Sequence, residues 1–196
     1  PHHVHAQQAI EAMEAGKHVV VDKVMCMNAT EAKKMISVSK RKKMMLSVFH
    51  NRRWDGGYLT VKKAIDGGLV GDPFLIETTV HRYRPSRGWR AIKGESGGLL
   101  YDWGAHLIDQ AVQLIPARPR SVFCRGHKYV WPGDIEDHVH CIIQFENGVQ
   151  YTVEVSNIAH IGKPHWYVLG TKGALLKEGL DPQEKWMMQG NIDGAQ

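Results

Sequence analysis

No apolar run in these 196 residues approaches the roughly 18 that a membrane-spanning helix needs, because Lys, Asp or His interrupts each one. No membrane partner is therefore expected. Nor does an apolar leader open the sequence: Pro1 to His5 is His-rich and the next stretch is amphipathic, so no signal peptide is expected. Cysteine is scarce and odd in number (Cys26, Cys124, Cys141) and lacks metal-type spacing. That argues against a disulfide framework or a zinc module and for reduced thiols in a cytoplasmic protein. No G-x-G-x-x-G occurs, so the dinucleotide fingerprint is missing. Neither sign of charge dominates, with 25 Lys and Arg against 20 Asp and Glu. The one dense basic run, Lys40-Arg41-Lys42-Lys43, lacks interleaved aromatics and reads as a solvated helix end, so nucleic acid is not an expected partner. What remains, 43% hydrophobic and 23% charged, is the composition of a globular chain.

The pattern divides near His50. Ala6, Ala9, Ile10 and Met13 recur at three- and four-residue steps, predicting a helix over Val4 to Ala15 with Gly16 as its cap. Lys17 to Lys23 holds Val19-Val20-Val21, a run without alternation that predicts a strand buried on both faces of a parallel sheet. Asn28 or Thr30 caps a second helix striped with Ala32, Met35, Ile36 and Val38, and Met44 to Phe49 is a second strand. Two strands cannot cover themselves, so the front of such a sheet is expected upstream of Pro1.

Beyond His50, helices are predicted at Tyr58 to Asp66 and Ala105 to Leu114. Strands are predicted at Phe74 to Tyr83, Ser121 to Tyr129, His138 to Phe145 and Val149 to Ser156, with a hairpin at Asn147-Gly148. Trp166 to Leu169 and Ala174 to Leu176 form a further short pair. The expected fold class is α/β plus α+β. Residues 1–50 are the tail end of a Rossmann doubly wound parallel sheet; 51–196 form an open, mostly antiparallel sheet domain with helices on one face.

Three groups of residues carry possible chemistry. Lys23 ends a strand of a parallel sheet, where the ligand crevice lies, so it faces either a site or simply Asp22. Asp102 and His106 are four apart and share a helix face. A carboxylate beside an imidazole fixes its tautomer and raises its basicity, which suits a general base; the plain alternative is a helix cap beside a structural His. Asp134, Glu136, Asp137, His138 and His140 are metal-type ligands without a recognisable spacing, and no metal is expected. Gly97-Gly98 allows close backbone approach to a ligand, or merely a turn.

In register, these pieces resemble one family. Pro1-His2-His3-Val4-His5 and Ala15 to Lys23 are similar to the segment of the Gfo/Idh/MocA oxidoreductases that runs into their Glu-Lys-Pro motif. Gly97 to Asp109 resembles that family's Gly-Gly, Asp-x-Gly-x-His-x-x-Asp signature. Asn51-Arg52-Arg53-Trp54-Asp55, Gly71-Asp72-Pro73 and Gly179-Leu180-Asp181-Pro182-Gln183-Glu184 resemble a bacterial subgroup of it. The resemblance implies NAD or NADP as cofactor and a sugar, inositol or related polyol as substrate. It implies a catalytic set of Lys23, Asp102 and His106, with His5, Asp22, Lys23 and Arg53 at the cofactor. Substrate contacts then fall to Trp89, Arg90 and His165, with Tyr83 and Arg84 behind them. A homodimer or homotetramer is implied as well. Two other activities fit the same family: an NAD-dependent glycosidase and a non-catalytic sensor. One departure is local: Asp22-Lys23-Val24 stands for Glu-Lys-Pro, which shortens the acidic arm and frees the backbone after Lys23. The other is extent, since the nucleotide loop belongs upstream and the end at Gln196 is early, so the chain is expected to be a fragment.

Overall fold

The computed structural model describes residues 1–181, 183–191 and 193–195; Pro182 of the tail motif lies outside them. The first unit comprises a 3-10 turn (His2–Val4), α1 (His5–Glu14), β1 (Val19–Asp22), α2 (Ala29–Lys42) and β2 (Leu46–Phe49). β1 and β2 pair in parallel, Val19 opposite Leu46. The stripe of Ala6, Ala9, Ile10 and Met13 packs with Met35 and Val38 of α2 and Val21 of β1. Asn28 is the cap: its side chain accepts the Glu31 amide at 2.9 Å, while a Glu31 carboxylate oxygen accepts the Met27 amide at 2.9 Å. Asn28 thus satisfies one amide that the first helical turn leaves unpaired, and Glu31 reaches back past the cap to the residue before it.

Burial of β1 on both faces is not what the structure shows. Val21 is buried, but Val20 is 61% exposed and Phe49 of β2 is 55% exposed. The two helices cover one face of a two-stranded sheet, so alternate side chains reach solvent.

The second unit runs through a 3-10 turn (Asn51–Trp54), α3 (Gly56–Asp66), β3 (Pro73–His81), a 3-10 turn (Gly88–Ala91) and α4 (Lys93–Ser96). A π-helical turn (Leu100–Gly104) leads directly into α5 (Ala105–Leu114). Then follow β4 (Pro119–His127), β5 (His138–Phe145), β6 (Gln150–Ser156), β7 (Trp166–Gly170), β8 (Ala174–Lys177) and α6 (Gln183–Met188), with a last 3-10 turn (Asp193–Ala195). The six strands lie in the order β4-β5-β6-β3-β7-β8, antiparallel except for the β3–β6 pair. β5 alternates, Val139, Cys141, Ile143 and Phe145 entering the core with Val153, Trp166, Leu107 and Ala111. The buried Tyr151 hydroxyl donates to the Leu107 carbonyl at 3.1 Å, tying α5 to the middle of the sheet. Cys124 and Cys141 face each other across β4 and β5 as free thiols. Among the described residues, no helix is long and apolar enough to cross a membrane.

The cap makes a clear prediction. Asn28→Ala should lower stability by about 1 kcal/mol in urea unfolding, while Thr30→Ala should stay within a few tenths. The reverse ranking would reassign the cap to Thr30.

Candidate active site

β1 ends at Asp22, whose carboxylate accepts the Lys23 amide at 2.8 Å. The ammonium of Lys23 turns away from Asp22 and crosses to the second unit. There it donates to the Asp102 carbonyl at 2.7 Å and to an Asp102 carboxylate oxygen at 2.6 Å. The peptide joining Lys23 and Val24 is cis.

Asp102 stands in the π-helical turn, one step before the regular α5 that carries His106. A π turn is wider than an α turn, so four-residue spacing no longer stacks the two side chains. The expected carboxylate–imidazole pair is absent: Asp102 faces Lys23, with Arg90 Nε at 3.6 Å. Burial works to raise the Asp102 carboxyl, but the charges of Lys23 and Arg90 outweigh it and hold it below its ordinary range.

His106 is 6% exposed, and among the described residues its Nδ1 has no hydrogen-bond partner. Its ring lies edge-on to Trp103, centroids 5.9 Å apart. Burial, reinforced by the positive charges of Lys23 and Arg52 and partly offset by Asp102, pushes its pKa down to about 3. His106 is therefore neutral at physiological pH and can accept a proton.

These groups line one cavity of about 690 Å³. Asp22, Lys23 and Phe49 come from the carboxyl ends of β1 and β2; Asp102, Trp103 and His106 come from the π turn and α5. Arg52 lies over the Trp103 ring at 4.4 Å and is held by Asp55 and Glu184. Arg82, Arg84, Arg87, Arg90 and Asn157 close the remaining wall.

The other predicted residues scatter. His5 Nδ1 sits 2.7 Å from the Val24 carbonyl, bracing the chain after Lys23 outside the cavity lining. Arg53 engages Asp109 through its guanidinium fork, with contacts of 2.7 and 2.6 Å. Trp89 does not line the cavity either; it packs against His2, ring centroids 4.8 Å apart, and beneath Arg90. Arg90 does line it. His165 lines a neighbouring cavity of about 570 Å³, its Nδ1 2.6 Å from the Thr79 carbonyl and its pKa lowered by burial to about 4. Tyr83 stacks on His160 with centroids 3.9 Å apart.

Gly97 and Gly98 have positive φ, and a Cβ would meet the Tyr101 ring or the Glu136 carboxylate at 2.4 Å. They serve a tight turn into the π segment, not approach to a ligand. The acidic group downstream is structural. Asp134 accepts the Lys93 amide at 2.7 Å, and buried Asp137 accepts the Tyr129 and Val130 amides. Among the described residues no group of three or more His, Cys, Asp or Glu is placed to hold a metal ion.

Arg52 and Arg82 were not among the expected site residues. Arg82 and Arg84 are two apart just beyond a strand, and that alternation puts both cations on one side. For Arg52, adjacency to Arg53 hid which of the two turns inward.

Comparisons with known proteins match both units of the fold. Residues 58–176 match the model described as the GFO/IDH/MocA C-terminal domain, and residues 1–50 match the oxidoreductase family, NAD-binding Rossmann fold. An uncharacterized oxidoreductase of Schizosaccharomyces pombe is 35% identical over 199 residues, covering 97% of this chain and 54% of that protein. The scyllo-inositol 2-dehydrogenase (NADP(+)) IolW of Bacillus subtilis is 31% identical over 192 residues, covering 97% and 53%. A solved NAD-binding protein from Listeria innocua superposes with a TM-score of 0.86 at 35% identity, covering 90% of this chain and 52% of that one. The chain thus spans about half the length of the curated relatives it matches.

The buried neutral imidazole has a consequence for stability. Unfolded, His106 titrates near its ordinary 6.5; folded, it resists protonation to about 3. Between those values the unfolded chain binds more protons, so stability falls as pH falls, by up to about 1.4 kcal/mol per pH unit from this group. His106→Asn should flatten the dependence of the urea midpoint between pH 7 and pH 5. An unchanged slope would show that His106 is not buried neutral.

Proposed function

The chain belongs to the Gfo/Idh/MocA oxidoreductase family, and on that premise we propose that it builds the reacting-group site of a nicotinamide-dependent enzyme. Its substrate is a CH–OH group of a sugar, inositol or related polyol. The observation that carries this reading is the charged Lys23–Asp102 pair beside a neutral, unpartnered His106 in one open cavity. The names of two relatives, a scyllo-inositol 2-dehydrogenase and a levoglucosan dehydrogenase, support the substrate class.

The residues present fit a nicotinamide. Asp22 and Phe49 end adjacent parallel strands and line the cavity next to Lys23, where open parallel sheets place their ligands. Phe49 offers an exposed aromatic face and Asp22 a carboxylate for such a ring and its carboxamide. When bound, the nicotinamide supplies the two-electron acceptor or donor.

The chain's own residues do the rest. An ammonium has three donors; Asp102 takes two from Lys23, leaving one for the reacting oxygen. That hydrogen bond stabilises the negative charge that develops as the hydroxyl loses its proton. His106, neutral and acceptor-ready, takes that proton. Asp102 acts through Lys23, holding the ammonium in place at the cavity by two hydrogen bonds; it is a positioning residue.

The test is a panel of sugars and inositols offered with NAD⁺ or NADP⁺ to the full-length protein. His106→Asn should lower kcat by roughly 100-fold or more, within the range for loss of a general base. Asp102→Asn should lower kcat by less than His106→Asn does. Reduction of neither nucleotide by any compound would defeat the reading.

A further inference from the structure

The cavity holds more positive charge than an uncharged polyol requires. Six cationic side chains line it, Lys23, Arg52, Arg82, Arg84, Arg87 and Arg90, against two carboxylates, Asp22 and Asp102. Lys23 is answered by Asp102, Arg52 by Asp55 and Glu184, and Arg90 at longer range by Asp102. Among the described residues, Arg82, Arg84 and Arg87 have no carboxylate partner.

These three are held in place by main-chain and amide contacts. The Arg82 amide donates to the Ser156 carbonyl at 2.9 Å, and the Arg84 amide to the Asn157 carbonyl at 3.1 Å. That pins the stretch beyond β3 to the end of β6 and fixes the alternation that puts both guanidiniums on one side. Asn157 accepts Arg82 Nε at 2.9 Å and donates to Ser86 Oγ at 3.0 Å, fastening the loop that carries Arg84 and Arg87. With Nε engaged and its plane over Trp103 at 5.3 Å, Arg82 keeps its two terminal nitrogens for a ligand. Arg82 and Arg84 also line the neighbouring cavity, so they stand where the two spaces meet. Like charges so placed repel each other, and an anion between them relieves that repulsion.

We propose that the substrate carries an oxyanion, a carboxylate or a phosphate monoester, seated on Arg82 and Arg84 with Arg87 at the rim. This rests on the oxidoreductase reading of the same cavity: Lys23 and His106 address the reacting hydroxyl, and the arginines take the far, charged end. Paired guanidiniums suit this role because their forks match the oxygens of such groups bidentately. The cluster would therefore select acids over their neutral counterparts and fix which hydroxyl reaches His106.

Calorimetry and turnover with matched compounds on the full-length protein test this. The carboxylate arm compares glucuronate with glucose; the phosphate arm compares an inositol monophosphate with inositol. One arm should show at least roughly 10-fold tighter binding of the acid, weakening as salt is raised, and the other arm identifies which oxyanion is not used. Arg84→Gln and Arg82→Gln should each remove most of that preference, and Arg84→Lys should restore part of it. Arg84 and Arg87 are exposed, so their Gln variants carry the test if Arg82→Gln does not fold. Acids binding no tighter than neutral compounds would overturn the proposal, even if neutral polyols are oxidised and the family reading stands. Acids bound through the arginines without nucleotide reduction would uphold the anion seat and defeat the oxidoreductase reading. If Arg84→Gln weakens NADP⁺ alone and leaves acid binding untouched, the arginines belong to the cofactor and the proposal fails.

Discussion

The Lys23–Asp102 ion pair is the constraint on which the site depends, because its partners come from different units of the fold. Lys23 extends from the carboxyl end of a parallel strand, and Asp102 comes from a π turn almost eighty positions later. Two charges removed from water are costly to bury, and here the cost is offset by a direct contact plus a second bond to the Asp102 carbonyl. Neutral contacts hold the units in the same register. His2 Nδ1 meets the Ser96 carbonyl at 2.6 Å, and the Tyr101 hydroxyl donates to the Met27 carbonyl at 2.8 Å. Tyr101 and Met27 lie close to Asp102 and Lys23 in sequence, while His2 and Ser96 join the units at a second point, so the approach of Lys23 to Asp102 is not set by attraction alone.

Burial does most to keep His106 neutral, and the charge of Lys23 adds to it. The imidazole does not own a carboxylate; Asp102 is committed to Lys23, and the net influence of nearby charge is positive. On the proposed function, a neutral histidine with a free acceptor and an ammonium with a free donor are complementary tools for one hydroxyl. The same cations that weaken the base make the hydroxyl easier to deprotonate, because an alkoxide is stabilised wherever an imidazolium is destabilised.

Much of this was legible in the sequence, and the misses have physical causes. Strands with strict alternation, such as β5 with Val139, Cys141, Ile143 and Phe145 inward, declare their face directly. Lys23, Asp102 and His106 stand together because motif order preserves which chain segments meet. The Asp102–His106 pairing failed because residue spacing assumes an α-helix, and no local pattern marks a π turn. Arg53 and Trp89 were harder to place, for another reason. A guanidinium or an indole is equally suited to a ligand or to a neighbour, and only tertiary structure shows that Asp109 and His2 already hold them. Val20 is exposed because α1 and α2 cover only one face of β1 and β2; an apolar run reports a strand's preference for burial, not how many layers cover it.

The arginine wall and the weak base belong to one electrostatic argument. A general base works best when its affinity for protons lies near the working pH, and His106 alone lies well below it. Its shift has two sources, burial and surrounding positive charge, and a ligand acts on both. An oxyanion seated on Arg82 and Arg84 adds negative charge to the cavity and so raises the proton affinity of His106, against the desolvation that any bound ligand adds. A neutral polyol in the same place would exclude water, deepen the desolvation and push the base further down. On the proposed seating, the charge that selects the substrate is thus the charge that readies the base, and discrimination enters kcat as well as binding.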